Sequence, residues 1–219
     1  QTLGVVIPPS IPMVTYAVTA SLSVGTMFMA GIIPGLLLAA VLCVTNIVLC
    51  SKYDAPDTSK VTGKEVFHAF TDAILALLMP IIILGGIYSG LFTPTESAAV
   101  ACVYSFIVSI FVYKELKMDG IFAIFRDTAV SSAVVLLVVG LSSPFAWFMT
   151  FEDLPSLIAT SFLGLFSNKM VLLLMINVIL LFLGCFLETQ SIILLVTPIL
   201  LPIATAMGLS HVALGIIII

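Results

Sequence analysis

Polar positions are sparse along this chain, and their spacing divides it into apolar runs. Residues 1–51 carry no charge, but Pro8, Pro9, Pro12 and the polar stretch 19–26 split them into a broken first segment and a span over about 27–50. A smooth helix cannot cover the first part. Each interior proline removes one backbone hydrogen bond and crowds the preceding turn. Residues 51–72 hold Lys52, Asp54, Asp57, Lys60, Lys64, Glu65, His68 and Asp72. This pattern predicts an aqueous loop whose second half starts an interfacial helix. Residues 73–113 carry only Glu96, and Gly85, Gly86 and Gly90 followed by Thr93-Pro94-Thr95-Glu96 mark a turn, which predicts spans over 73–92 and 95–113. An uncharged run over 128–151 is long enough to cross ~30 Å of hydrocarbon at ~1.5 Å per residue. Residues 154–168 are short for a crossing, and Pro155 suits the start of an outer interfacial helix. Over 170–219 the only charge is Glu188. Its neighbours Thr189, Gln190 and Ser191 complete a polar cluster between apolar arms at 170–187 and 192–206. Those arms are either two crossings or a re-entrant hairpin, and Thr197-Pro198 and Pro202 argue against a smooth second arm.

Composition turns these runs into membrane segments. The 219 residues are 62% hydrophobic and 8% charged, with a mean hydropathy of +1.34. A soluble domain carries about 25% charged residues to dress its surface. Seven basic and eleven acidic side chains cannot do so here, which excludes a secreted enzyme, a nucleic-acid-binding domain or a disordered regulator. The class is an all-α polytopic membrane protein in contact with lipid, with no nucleic acid as partner. Basic residues in the loop at 52–64 and again at Lys114, Lys117 and Arg126 place both loops in the cytoplasm by the positive-inside rule. Cys43, Cys50, Cys102 and Cys185 show no metal or disulfide spacing and read as small buried hydrophobes. The start at Gln1 and the end inside an apolar run read as cuts from a longer polypeptide. No signal-peptide pattern is present.

Candidate chemistry is confined to a few places. Thr93, Pro94 and Glu96 fit a capping box with proline at the first helical position; an acid in a membrane segment can alternatively carry a cation or proton. Glu188 has no basic neighbour in sequence. With Thr189, Gln190 and Ser191 it offers oxygens of the kind that line sodium or carboxylate sites, or that cap a helix. Gly4, Pro8, Pro9 and Ser10 break the first segment in apolar surroundings, where freed backbone groups survive only against protein or a polar cavity. Asn46, Asn177 and Ser131-Ser132 read as interhelical hydrogen-bonding residues, and Trp147, Tyr53 and Tyr113 as interface anchors. No hydrolase, zinc-protease, nucleotide or dinucleotide motif occurs, so neither an enzyme nor an organic cofactor is expected.

Four separated strings, LGVVIPPSIPMVTYAV at 3–18, AGIIPGLLLA at 30–39, LFTPTESAAVACVY at 91–104 and FLETQSIILLVTPILLPIATAMGLSHVALGIII at 186–218, together resemble the large membrane subunit of tripartite ATP-independent periplasmic (TRAP) transporters. The resemblance implies a bacterial inner-membrane protein of about twice this length, built as two inverted repeats in the manner of the ion-transporter superfamily, each with a hairpin and a broken helix. On that basis 1–50 ends the first repeat, 51–72 is the cytoplasmic loop and interfacial start, 73–169 holds scaffold spans and 170–219 the second hairpin. The first hairpin and the second broken helix would lie outside residues 1–219. The resemblance further implies sodium as coupling ion near Gly4, Ser10, Thr189 and Ser191, and sodium-coupled uptake of a C4-dicarboxylate or sialic acid. The implied partners are a small four-helix membrane subunit and a periplasmic substrate-binding protein. A symporter or antiporter of similar architecture that needs no binding protein is the alternative.

The orientation is testable. Cysteines placed at Lys60 and Lys117 of a full-length protein lacking native cysteines are expected to resist a membrane-impermeant thiol reagent in intact cells. Labelling of either from outside would reverse the topology.

Overall fold

The computed structural model describes residues 3–51, 62–114, 116–165 and 169–219. In chain order these form α1 (Leu3–Val6), α2 (Ile11–Thr19), α3 (Val24–Cys50), α4 (Gly63–Tyr88), α5 (Pro94–Ile107) with a π-helical turn (Val108–Val112), α6 (Met118–Phe151), α7 (Leu154–Leu165), α8 (Lys169–Gly184), α9 (Thr189–Ala206) and α10 (His211–Ile218). Among the described residues there is no strand. Among them, too, five helices are long and apolar enough to cross a membrane: Val24–Cys50, Gly63–Tyr88, Pro94–Val112, Gly120–Phe151 and Thr189–Ala206. The protein is thus all-α and polytopic. Residues 52–61, the core of the expected cytoplasmic loop and the site of Tyr53, lie outside the described residues, as do 166–168 at the end of the expected interfacial helix.

Two helices begin earlier than the apolar pattern indicates. The Thr62 amide donates to the Glu65 carboxylate at 3.0 Å, the reciprocal cap that starts a helix in water. Nothing in 63–79 then breaks the register, so interfacial start and span are one element. The segment boundary at 72/73 falls inside it. Likewise α6 runs from Met118 through the charged residues into the apolar run. Hydropathy marks where a helix meets lipid, whereas caps decide where it begins.

The chain divides into two compact units, residues 1–34 with 122–219, and residues 35–121. In the first, α9 is the central element, packed most extensively along α7 and α2 and also against α10. On α2 the buried positions Met13, Tyr16, Ala17 and Ala20 form one helical stripe. Ile193, Thr197, Leu200 and Ala204 of α9 form another. Helix α3 passes close to the α1–α2 break at Gly31, where a Cβ would lie 2.3 Å from Met13 Cε and 3.0 Å from the Val6 carbonyl oxygen. Both α2 and α9 end in paired 6→1 and 5→2 bonds: Leu22 to Ala17 with Ser21 to Val18, and Leu209 to Ala204 with Gly208 to Thr205.

In the second unit, α4 and α5 are antiparallel and joined by hydroxyls that donate to carbonyls. Ser97 reaches Ile83 at 3.3 Å, Tyr104 reaches Leu75 at 2.7 Å and Tyr113 reaches Asp72 at 2.7 Å. The turn between them needs Gly90 at φ 72°. It also needs Gly86, where a Cβ would sit 2.7 Å from the Phe92 ring and 2.9 Å from Ser97 Oγ.

Some polar expectations are corrected. Asn177 donates to the Leu173 carbonyl one turn earlier, and Asn46 accepts from Cys50; these amides serve their own helices. All four cysteines are free and exposed: Cys43, Cys50 and Cys102 lie on outward faces of apolar helices and Cys185 in the turn that follows α8. Trp147 stacks on Phe151 at 5.2 Å.

Gly86→Ala is expected to destabilise the protein by about 1–3 kcal/mol, the usual cost of overpacking. Gly85→Ala, with nothing within 4 Å of its added methyl, should be neutral or stabilising. Thermal unfolding of the two variants in detergent compares them directly.

Candidate functional site

The first interruption lies between α1 and α2. Proline has no N–H, so Pro8 and Pro9 leave the carbonyls of Gly4 and Val5 without their helical donors. The chain answers one of these locally: the Ser10 hydroxyl donates to the Val5 carbonyl, and Ser10 is only 4% exposed. The Val6 carbonyl faces the gap left by Gly31. The Gly4 carbonyl belongs to an exposed residue and is the group that the proline pair strips without an evident replacement. Pro8 is buried and Pro9 exposed. Ser10 also stands at the N-cap of α2, in an extended conformation at φ −134°, ψ 130°.

The second interruption is the turn between α8 and α9. Cys185, Phe186 and Leu187 close α8 through bonds to Phe182 and Leu183. Glu188 then turns to an extended conformation at φ −70°, ψ 149° and becomes the N-cap of α9. Its carbonyl accepts from Ile192 at 3.1 Å, but its carboxylate makes no capping bond and is exposed. Thr189, Gln190 and Ser191 occupy the first turn, half-buried, with amides that have no intrahelical acceptor. An 18-residue helix presents the positive end of its dipole there, which favours an anion.

Two buried oxygens lie along α9, one in its first turn and one at its middle. Among the described residues, Gln190 Oε1 and Thr197 Oγ1 are buried without a hydrogen-bond partner. An unpaired buried acceptor costs roughly 1–3 kcal/mol, a cost that a bound cation or water would relieve. Thr197 is fully buried, and the sequence does not single it out as a polar group, because Thr197-Pro198 reads there only as a helix disturbance. Pro198 and Pro202 in fact sit inside a continuous α9 and free the carbonyls of Leu194 and Pro198.

The structure places Gly4, Pro8, Pro9, Ser10, Glu188, Thr189, Gln190 and Ser191 in the first unit and Thr93, Pro94 and Glu96 in the second. Within the first unit, the helix that follows one interruption, α2, packs along the helix that follows the other, α9. Ser131 and Ser132 line an open groove of about 700 Å³ with Asp127, Thr128 and Ile11. In the second unit, Glu96 accepts from the Thr93 amide and hydroxyl, both at 2.8 Å, and its own amide donates to Thr93 Oγ1 at 3.3 Å. With Pro94 at the first helical position, this arrangement engages one carboxylate oxygen of Glu96, Oε2, in starting α5.

Residues 1–219 match the family model described as "Tripartite ATP-independent periplasmic transporter, DctM component". The chain is 42% identical to the sialic acid TRAP transporter large permease protein SiaM of Vibrio cholerae, covering 98% of this chain and 50% of that protein. It is 39% identical to the C4-dicarboxylate TRAP transporter large permease protein DctM of Pseudomonas aeruginosa, covering 100% and 51%. Against the 2,3-diketo-L-gulonate TRAP transporter large permease protein YiaN of Escherichia coli it is 34% identical over 98% and 50%. The chain spans about half the length of these relatives. They are transport proteins, not enzymes.

Ser10→Ala removes the donor to the Val5 carbonyl and should lower stability by about 1–3 kcal/mol, as expected for a buried acceptor left unpaired. Chemical or thermal unfolding in sodium-free detergent measures this loss.

Proposed function

The chain belongs to the DctM component family of tripartite ATP-independent periplasmic transporters, proteins of the bacterial inner membrane, and we propose that it supplies the ion- and substrate-facing part of a permease for sodium-coupled uptake of an organic acid. The observation that carries this reading is the packing of α2 along α9, which unites two helix interruptions in one unit. Polar backbone placed beside a cavity at membrane depth is how secondary transporters meet ions and anionic substrates.

Each interruption supplies a different part of the chemistry. At the first, the Gly4 carbonyl and the lone pairs of Ser10, whose proton is committed to Val5, are neutral oxygens able to replace part of a sodium ion's hydration shell. At the second, the hydroxyls of Thr189 and Ser191 and the orphaned Gln190 Oε1 do the same. Because these ligands are uncharged, a bound sodium ion would keep its full charge and offset the Glu188 carboxylate at the α9 N-terminus. That charge and the free first-turn amides would together favour a carboxylate substrate. A coupling of about 1–3 kcal/mol between ion and substrate, typical of linked sites, makes each bind about 5–150-fold more tightly in the presence of the other.

The substrate class is an organic acid of the C4-dicarboxylate or sialic-acid type, delivered by a periplasmic substrate-binding protein, with a small four-helix membrane subunit as the second partner. The turn at 185–188 is then the tip of a re-entrant hairpin whose arms are α8 and α9. Movement of the unit containing both interruptions, carried on lipid-facing spans, exposes the site to either side in turn.

In proteoliposomes holding the complete full-length complex, Ser191→Ala is expected to raise the sodium concentration for half-maximal uptake by about 2–10-fold, the worth of one hydrogen-bond-strength contact. Maximal uptake at saturating sodium should be little changed. Leu195→Ala should stay closer to wild type. A Ser191→Ala sodium curve that superposes on wild type, with free labelling of Ser191→Cys in every transport state, would remove the site from this turn.

A further inference from the structure

Tyr16 is fully buried and lies on α2 shortly after the first interruption. Its hydroxyl donates to the carbonyl of His211 at 2.6 Å, across 195 residues of sequence. The ring seats against Gly215, one turn further along α10, where a Cβ would come within 2.3 Å of Tyr16 Cε1 and 2.6 Å of Met27 Cε. A side chain at 215 would therefore expel the ring. His211 is itself held from the other side: its Nε2 lies 2.9 Å from Thr205 Oγ1. The Thr205 hydroxyl donates its single proton to the Leu201 carbonyl at 2.9 Å, so the imidazole Nε2–H is the donor to Thr205. Thr205 also contributes its carbonyl to the bonds that close α9. The path from Tyr16 thus runs through His211 to the C-terminal turn of α9, the helix whose other end carries the Glu188–Ser191 cluster.

We propose that Tyr16 is a positioning residue that couples the two interruptions, so that an ion bound at one raises affinity at the other. This rests on the sodium-coupled reading above. Side chains packed on both sides of Tyr16 restrict α2 to discrete placements, and the hydroxyl is a directional polar contact that fixes which placement goes with which position of the α9–α10 corner. A buried hydroxyl needs a partner. Sliding α2 without moving α10 would break this one, so the two elements shift together. Phenylalanine at 16 keeps the ring and its contact with Gly215 but removes the pin, and the interruptions can then respond to ions independently.

The test uses the full-length complex in proteoliposomes, with uptake measured against sodium concentration. Wild type is expected to show a sigmoidal curve. Tyr16→Phe should lower the Hill coefficient toward one and raise half-saturating sodium at least threefold, with maximal uptake within twofold of wild type. Thr205→Val, at an exposed position, releases the His211 ring without touching the core and should move the curve in the same direction by a smaller factor. Tyr104→Phe is the control, since it removes an equivalent hydroxyl-to-carbonyl bond, to Leu75, in the other unit. It should leave the curve unchanged. A sodium-independent wild type would sink the functional reading itself. Sodium dependence that is hyperbolic in wild type, or identical in wild type and Tyr16→Phe, or altered equally by Tyr104→Phe, would overturn the coupling role while leaving that reading intact.

Discussion

A backbone carbonyl without a donor is expensive in hydrocarbon, and the architecture of this chain is organised around the few that proline creates. Pro8 and Pro9 release Gly4 and Val5; Pro198 and Pro202 release Leu194 and Pro198. Val5 is satisfied by a nearby side chain, through Ser10. Two of the others, on Leu194 and Pro198, lie in α9, one of the most deeply packed elements in the molecule; the third, on Gly4, lies on the exposed side of α1. Close packing around α9 keeps lipid from its two freed carbonyls. Pro34, Pro80 and Pro144 likewise lie inside continuous helices, and each frees one carbonyl, that of Ala30, Ala76 and Gly140, without ending the helix.

The same logic explains which parts of the fold are legible in the sequence. Runs of apolar residues longer than a bilayer leave little choice of structure, so α3, the membrane portions of α4 and α6, and the α4–α5 turn can be read directly. The box at Thr93, Pro94 and Glu96 is legible because its geometry is contained within four residues. The second half of 51–72 reads as the start of an interfacial helix, but its continuity with the span does not, since the change from charged to apolar residues reads as a boundary until one helix is seen to run from Gly63 to Tyr88. The paired interruptions are visible as disturbances, but hydropathy has no term for which apolar helix lies against which. Tyr16 illustrates the gap. In sequence it is one aromatic in an apolar stretch; its significance depends on His211 and Gly215, residues that no periodicity connects to it. Thr197 is hidden for a related reason, because a hydroxyl beside a proline explains itself locally and conceals its burial.

Exposure follows from the medium. Leu36, Leu136 and Phe182 are 63%, 69% and 64% exposed, which in water would mark aggregation surfaces. Here Leu36 and Leu136 are on outward faces of helices long enough to cross lipid and Phe182 on the shorter apolar α8, and the exposed Cys43, Cys50 and Cys102 belong to the same class. The buried core is concentrated around α2 and α9. Elsewhere the helices need little more than length and apolarity, and the Ser97, Tyr104 and Tyr113 hydroxyls suffice to pair α4 with α5.

Those three hydroxyls also bear on the order of assembly. Their acceptors lie 14, 29 and 41 residues earlier in the chain, so α4 and α5 have every partner they need as soon as α5 leaves the ribosome. A helical hairpin of this kind can enter the bilayer as a finished pair. The Tyr16 hydroxyl must wait 195 residues for its acceptor, through the synthesis of every span between. Contacts so distant in sequence form slowly, and until they do the proline-broken segment stays in the membrane without the packing that buries Met13, Tyr16 and Ala17. The biogenesis of the protein is therefore most vulnerable at the α1–α2 segment, the first of these elements to be made and the last to be packed.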